Sequence, residues 1–250
     1  MILTTQKPFE EIKKLIEPYK SVLVVGCGTC ATESQTGGEP QVKEMAEKLH
    51  EGRSVETLMI ETPCDERIVR KEWRSFKEKG KSVDALLVLS CGAGVQTLVE
   101  TVGLPSYPGL NTHFIGKVER IGLAYERCRA CGDCKLGVTA GVCPVTMCAK
   151  GLMNGPCGGM INGKCEVKGY VRDCAWHTIW KRLQEQGRLD LFRVTQPARQ
   201  YGLEAYPRGI DALPAHAVIK GVNPVLGPDE TAETVRKAVE ELNKQKAEAK

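Results

Sequence analysis

Residues 21–30 read SVLVVGCGTC, a run of apolar residues that ends in a turn rich in glycine and cysteine. Such a run is typical of a strand buried on both faces of a sheet. The same pattern returns in residues 54–64, SVETLMIETPC, and in residues 83–103, which open with VDALLVLSCGAG. Apolar residues at helical spacing fill the intervals 39–53 and 65–80. This β-α-β-α-β order predicts a parallel sheet with right-handed crossover connections.

Four cysteines fall where these predicted strands end. Cys27 and Cys30 follow the first strand, Cys64 follows the second, and Cys91 follows the third. Because parallel strands bring their carboxyl ends to one edge of the sheet, we expect these thiols to meet there. The alternative is four unrelated core cysteines, since free cysteine is often buried. The repeated position at strand ends favours a single four-thiol site in a Rossmann-like α/β domain.

The first turn also admits a different interpretation. Residues 26–31 fit the loose form G-x-G-x-x-A of the dinucleotide-binding fingerprint, and Glu61 is placed to be the ribose carboxylate. However, a pair of thiolates in that turn would add negative charge where the pyrophosphate binds. We therefore interpret the glycines of these turns as positions that let backbone N–H groups approach cluster sulfurs, namely Gly26, Gly28, Gly92 and Gly94.

A second group of cysteines lies between residues 128 and 174. It contains eight of the twelve cysteines in the chain: Cys128, Cys131, Cys134, Cys143, Cys148, Cys157, Cys165 and Cys174. The first three form a C-x2-C-x2-C motif, a spacing that lets three thiolates converge on one cuboidal iron–sulfur cluster. Cys143 precedes a proline, as the fourth cysteine of bacterial ferredoxins does, but eight residues separate it from Cys134 rather than three.

Twelve thiols make three sets of four, and four thiolates are what one [4Fe–4S] cluster or one structural zinc requires. Zinc more often takes two separate C-x2-C knuckles, and disulfides suit secreted chains. We expect two or three [4Fe–4S] clusters, with zinc at one four-cysteine site as the alternative. The ferredoxin pattern suggests that Cys174 completes the set of Cys128, Cys131 and Cys134. The other set is then Cys143, Cys148, Cys157 and Cys165.

These patterns predict three regions. Residues 1–125 form the Rossmann-like α/β domain, in which residues 111–122 are interpreted as one more edge strand. Residues 126–187 form a Cys-rich module with a hairpin turning at Asn162-Gly163. Its last element is a helix that presents four apolar residues on one face, Trp176, Ile179, Trp180 and Leu183, with His177 off that face and solvated. Residues 188–250, interrupted by prolines, are interpreted as an extended partner-wrapping segment and a terminal helix.

Composition bounds the class of protein. The chain has 250 residues, of which 42% are hydrophobic and 26% charged, as expected for a soluble folded core. A net charge of +4 without an aromatic-basic motif gives no case for nucleic acid. Apolar runs long enough for a membrane span are missing from the sequence. Because thiolate centres need a reducing setting, we expect a cytoplasmic protein.

Four segments carry a family resemblance: VGCGTCATESQTGGEPQV at 25–42, CRACGDCKLGVTAGVCPVTMCAKGLMNGPCGG at 128–159, GKCEV at 163–167 and CAWHTIWKRL at 174–183. Together they resemble the MetV-type subunit of methylenetetrahydrofolate reductase over roughly residues 20–185. The resemblance implies an iron–sulfur subunit that pairs with a flavin-bearing MetF-type catalytic subunit, the FMN residing on that partner. It also implies the methyl branch of the reductive acetyl-CoA pathway in anaerobes.

The resemblance implies a non-catalytic electron-transfer subunit of an oxidoreductase. Electrons would pass from an upstream donor complex through the clusters to the partner's FMN, which reduces methylenetetrahydrofolate to methyltetrahydrofolate. One alternative is a zinc-binding structural or regulatory scaffold subunit. Another is a free-standing nucleotide-dependent enzyme, although the sequence offers no positioned acid-base pair. The acidic residues near the first turn, Glu33, Glu39 and Glu61, are better explained as helix surface or cap residues.

Overall fold

The computed structural model describes residues 1–167, 169–199 and 201. They form two compact units, Met1–Arg129 and a second that begins at Ala130. The terminal helix predicted near the end of the chain lies outside the described residues, as does most of the extended segment predicted before it.

The first unit contains strands β1 Ile2–Gln6, β2 Ser21–Cys27, β3 Ser54–Ile60, β4 Ala85–Leu89, β5 Ser106–Pro108, β6 Leu110–Arg120 and β7 Leu123–Cys128. Its helices are α1 Phe9–Ile16, α2 Cys30–Glu33, α3 Glu39–Leu49, α4 Glu66–Glu78 and α5 Gly92–Val102. The second unit contributes α6 Pro144–Met147, α7 Ala175–Glu185 and a 3₁₀ turn at Leu189–Arg193. None of the helices in the described part of the chain is long and apolar enough to cross a membrane.

The parallel sheet predicted from the apolar runs is confirmed. Four strands pair in the order β3-β2-β4-β5, and every pairing is parallel. Strand β2 is central, with Gly26 opposite Met59 on one side and Leu89 on the other. Because helices cover both faces of a sheet of this kind, its inner strands read as continuous apolar runs.

Alternate residues of β2 pack into two different layers. Val22 and Val24 join an apolar cluster that contains Ile12 of α1 and Met45 of α3. Their neighbours on the strand, Leu23 and Val25, face the other side and pack with Val69 and Phe76 of α4 and Leu98 of α5. The first unit is therefore a three-layer α/β sandwich, which is the fold class that the sequence predicted.

The segment predicted as one more edge strand has a different place. Strand β6, Leu110–Arg120, is the middle strand of a separate antiparallel sheet of order β1-β6-β7. Its partner β1 was not predicted, because the two segments are about 100 residues apart in the chain and only tertiary contact pairs them. The fourth parallel strand, β5, also escaped prediction, since it has only three residues and ends in a proline.

The second unit has little regular structure, as predicted, but its hairpin is well defined. Ile161 and Lys164 exchange both backbone hydrogen bonds, at 3.1 and 2.9 Å. The two residues between them, Asn162 and Gly163, have φ angles of 49° and 77°, as a type I′ turn requires. The Asn-Gly hairpin predicted from the sequence is confirmed.

Helix α7 buries most of the face predicted for it. Trp176, Ile179 and Leu183 are buried, and the Trp176 indole N–H donates to the carbonyl of Leu152 at 2.9 Å. Trp180 was wrongly assigned to this face: it lies at the edge of the stripe, is 39% exposed, and stacks on the half-buried ring of His177.

Candidate metal centre

The sheet topology places four cysteines at one edge. Strand β2 ends at Cys27 and α2 begins at Cys30. Cys64 stands just before Asp65, the N-cap of α4, while Cys91 is itself the N-cap of α5. Since β2 lies between β3 and β4, all three strand ends are adjacent. This edge is also the point where the chain reverses its direction of travel across the sheet, which is where open α/β sheets bind ligands.

The thiol of Cys64 lies within electrostatic range of the other three. The pKa of the Cys64 thiol is raised, chiefly by partial burial. The negative charge of Cys91 is the next largest cause. The charges of Cys27 and Cys30 raise that pKa further. Such repulsion disfavours the thiolate form of Cys64 beside the other cysteines, whereas a cationic metal centre would relieve it.

The four thiols differ in depth. Cys27 and Cys91 are buried, Cys30 is half-buried, and the Cys64 residue is exposed. Two of the four cysteines are therefore shielded from solvent, whereas Cys64 is open to it. Ser90, the residue before Cys91, has a buried hydroxyl oxygen without a hydrogen-bond partner among the described residues. An unpartnered buried donor beside a thiol is compatible with a bound group that carries sulfur acceptors.

Hydroxyl groups fix the backbone of the first cysteine loop. The Thr32 hydroxyl donates to the carbonyl of Cys27 at 2.6 Å, and the Ser34 hydroxyl donates to the carbonyl of Cys30 at 2.8 Å. The Cys27 N–H donates to the carbonyl of Gly37 at 3.0 Å. These contacts were not predicted, since serine and threonine after a strand indicate a turn without indicating which carbonyls they bind.

The glycines beside the cysteines have a steric role that the sequence did not reveal. The Gly28 N–H donates to the carbonyl of Ile60 at 2.9 Å, and the Gly92 N–H donates to Thr112 Oγ1 at 2.9 Å. These two N–H groups are thus already paired and do not serve the sulfurs as we had expected. A Cβ atom on Gly28 would instead lie 2.9 Å from the Cα atom of Glu61. Gly28 therefore permits close contact between the loops that carry Cys27 and Cys64.

The nucleotide interpretation of residues 26–31 fits the structure poorly. Helix α2 has only four residues, so the turn does not lead into the long helix whose N-terminus holds a pyrophosphate. Glu61 and Glu33 are exposed. Glu39 forms an ion pair with Lys43 at 2.7 Å, which lowers the pKa of the Glu39 carboxyl. Its role on the surface of α3 is the one expected from the sequence.

The eight downstream cysteines are spread over both units. Cys128 is the last residue of β7 in the first unit, whereas Cys131 and Cys134 belong to the second. Cys143 and Cys148 flank α6, and Cys174 is the N-cap of α7. Cys165 lies between α6 and α7, in the strand-like segment that follows the Asn-Gly turn.

Cys157 has charged neighbours. Its thiol donates to Glu166 Oε1 at 3.5 Å, and the ammonium group of Lys150 binds the same oxygen. The hydrogen bond from Lys150 is the main cause of the lowered pKa of the Glu166 carboxyl, and Cys157 adds to it. Gly159 makes room for this carboxylate, because a Cβ atom there would collide with it.

No preformed single-ion site is present in residues 1–167, 169–199 and 201, where no three His, Cys, Asp or Glu side chains are grouped so that they could hold a metal ion. The candidate centre at the sheet edge is therefore defined by the placement and electrostatics of its thiols.

The sequence of this region can be compared with known families. Residues 107–202 match the family model described as "Methylene-tetrahydrofolate reductase C terminal". The matched segment begins within β5, ends at residue 202 in the second unit, and is less than half of the 250 residues. No curated protein and no solved structure matched this chain. The match indicates a domain similar to the C-terminal part of that reductase, in agreement with the resemblance carried by the cysteine motifs.

Proposed function

We propose that this chain is the iron–sulfur, electron-transfer subunit of a methylenetetrahydrofolate reductase complex. The observation that carries the proposal is the set of Cys27, Cys30, Cys64 and Cys91, which the parallel topology brings to one sheet edge. The family match over residues 107–202 supports a relation to methylenetetrahydrofolate reductase. In this proposal all twelve cysteines are ligands of [4Fe–4S] clusters, or of zinc at one site.

The residues at the sheet edge fit an iron–sulfur cluster. A cluster with four thiolates is anionic, and two of the thiols stand at the N-termini of α4 and α5. The partial positive charge of a helix N-terminus stabilises an anion there. Burial of Cys27 and Cys91 keeps water from that side of the site. When bound, an iron–sulfur cluster accepts and passes on single electrons.

In this proposal the chain and its partner have different chemical roles. Hydride transfer belongs to flavin chemistry, while a chain such as this one supplies position and potential. The proposed partner is therefore a flavin-bearing MetF-type subunit, and an upstream complex donates the electrons. In this proposal residues 1–125 and 126–187 hold the metal centres, and residues 188–250 wrap the partner. A reducing cytoplasm is the compartment that such thiolate centres require.

The test is anaerobic purification of the full chain with analysis of iron, acid-labile sulfide and zinc, combined with EPR. We expect brown protein, and we expect Cys91→Ser to lose one cluster's iron, sulfide and EPR signal. Ala93→Ser is the matched control, because it places the same side chain two residues away on the exposed side of α5. Unchanged iron and sulfide in Cys91→Ser would refute the sheet-edge site. Colourless protein with stoichiometric zinc would instead identify a structural scaffold.

The partner is tested separately, by mixing the purified chain with a MetF-type flavin subunit. We expect the two to elute together, and we expect reduced chain to bleach the flavin absorbance. If cluster-loaded protein neither binds nor reduces the flavin subunit, the proposed partner is wrong. The chain would then be an iron–sulfur protein that passes electrons to a different acceptor.

A further inference from the structure

A short antiparallel ribbon follows the Asn-Gly turn in the second unit. Lys164 pairs with Asp173 across it. The Cys165 N–H donates to the carbonyl of Arg172 at 2.9 Å, and the Cys174 N–H donates to the carbonyl of Gly163 at 2.8 Å. These two hydrogen bonds flank the pair, so Lys164 and Asp173 form a non-hydrogen-bonded pair, the type whose side chains lie closest.

The ion pair fixes which face of the ribbon these side chains occupy. Lys164 Nζ lies 2.6 Å from Asp173 Oδ1, so both side chains are on one face. Successive residues of a strand point to opposite faces, and the next residue along each strand is a cysteine. Cys165 and Cys174 therefore share the other face. They are diagonal neighbours across the ribbon. The Cα atoms of such a diagonal pair are about 7–8 Å apart.

The face that carries the thiols is the buried one. Cys174 belongs to the apolar cluster formed by Trp176, Ile179 and other core residues of the second unit. Cys148, at the end of α6, is partly buried and packs against the same cluster. Cys174 and Cys148 therefore pack on the same core. Cys165, which is partly buried, lies on the face of the ribbon that carries Cys174, while the charged pair occupies the opposite, exposed face.

We propose that Cys165 and Cys174 bind the same iron–sulfur centre, with Cys148 as a third ligand. Each thiol loses its proton as its sulfur binds iron. The proposal rests on the proposed iron–sulfur function, and it removes Cys174 from the set of Cys128, Cys131 and Cys134 to which the ferredoxin pattern had assigned it. A separation of about 7–8 Å exceeds the Cα distances of about 4.4–6.8 Å found in disulfides, so a metal bridge suits this pair better than a direct bond.

The first experiment tests the geometry without any cluster. The full-length chain is stripped of metal anaerobically, treated with dibromobimane, a short reagent that joins two nearby thiols, and mapped as peptides. We expect the main link of Cys174 to be to Cys165, and we expect Cys165→Ser to abolish it. Links from Cys174 mainly to Cys131 or Cys134 would overturn the proposal. This readout stays informative even if the purified protein holds no iron, which is the result that would refute the proposed function.

The second experiment compares EPR spectra of the loaded variants Cys165→Ser, Cys174→Ser and the double variant. We expect each single substitution to remove the same signal, and the double variant to remove no more. Cys131→Ser is the matched comparison and should remove a different signal. If Cys174→Ser and Cys131→Ser removed one signal and Cys165→Ser another, the grouping would be wrong. Cys165→Ala, measured alongside, separates loss of the ligand from a defect specific to serine.

Discussion

Replacing Gly28 by alanine should separate the loops that carry the sheet-edge thiols. The added Cβ atom would lie 2.9 Å from Glu61 Cα and 3.3 Å from the Glu61 carbonyl oxygen. Carbon atoms in favourable contact are about 3.5–4.0 Å apart. Because the obstructing atoms are backbone, they cannot rotate away, and either the loop after β2 or the loop after β3 must move.

The size of the effect follows from this clash. Overpacking a tight site by one carbon costs about 1–3 kcal/mol. A loss of about 1–3 kcal/mol lowers the equilibrium constant for folding by about 5- to 150-fold. The displacement also separates Cys27 and Cys30 from Cys64, so we expect the Gly28→Ala variant to retain less iron than its loss of stability alone would produce.

The measurements are urea unfolding of the apo chain and iron and sulfide content after anaerobic purification. Gly92→Ala is the control, since Gly92 also follows a sheet-edge cysteine. Its new Cβ atom would meet only Thr112 Oγ1, at 3.8 Å, and alanine stabilises a helix by up to about 1 kcal/mol relative to glycine. Equal stability and iron content in Gly28→Ala and wild type would refute the reasoning, as would equal iron loss in both variants.

Two further substitutions probe the two units separately. The hydroxyls of Tyr19 and Tyr107 are 2.6 Å apart, and this hydrogen bond is the main cause of the raised pKa of Tyr19. Tyr107→Phe should therefore let Tyr19 titrate closer to about 10 in an ultraviolet difference titration, and a Tyr19 pKa that stays raised in this variant would contradict the contact. Since the folded-state pKa is the higher one, the linked stability is complete below pH about 10 and is lost as the pH rises through the folded-state pKa. Ile179→Ala should destabilise the second unit by about 2–5 kcal/mol in urea unfolding, because that side chain is completely buried. Exposed Lys181→Ala is its control, and an equal effect of the two would show that α7 is not packed as described.

The parallel sheet could be predicted because each of its inner strands is written as one local apolar run. Asp65 is the first residue of the interval 65–80, where the helical spacing predicted a helix, and its carboxylate accepts a hydrogen bond from the Arg67 N–H at 3.0 Å. The Arg67 guanidinium also binds this carboxylate and holds the pKa of Asp65 to about 2. Strand β1 carried no comparable signal, since its pairing with β6 joins distant segments and depends on burial rather than local propensity.

The cysteines of the candidate sites also differ in how far the sequence could predict their arrangement. The sheet-edge cysteines could be placed from the sequence because parallel topology alone brings strand ends together. The downstream cysteines could not be grouped from the sequence, because they flank separate short elements rather than the ends of one sheet. A motif borrowed from ferredoxins does not fix strand register either. The pairing of Lys164 with Asp173 spans an irregular turn, and only the structure reveals it.

The position of β2 between β3 and β4 has a consequence for biogenesis. The sheet-edge thiols lie between residues 27 and 91, so the last of them emerges from the ribosome long after the first. They meet only once β4 has docked beside β2. A metal centre bound there, as proposed, would therefore be loaded only after these strands of the parallel sheet have paired, and factors that deliver iron and sulfide would act on a folded sheet rather than on its separate strands.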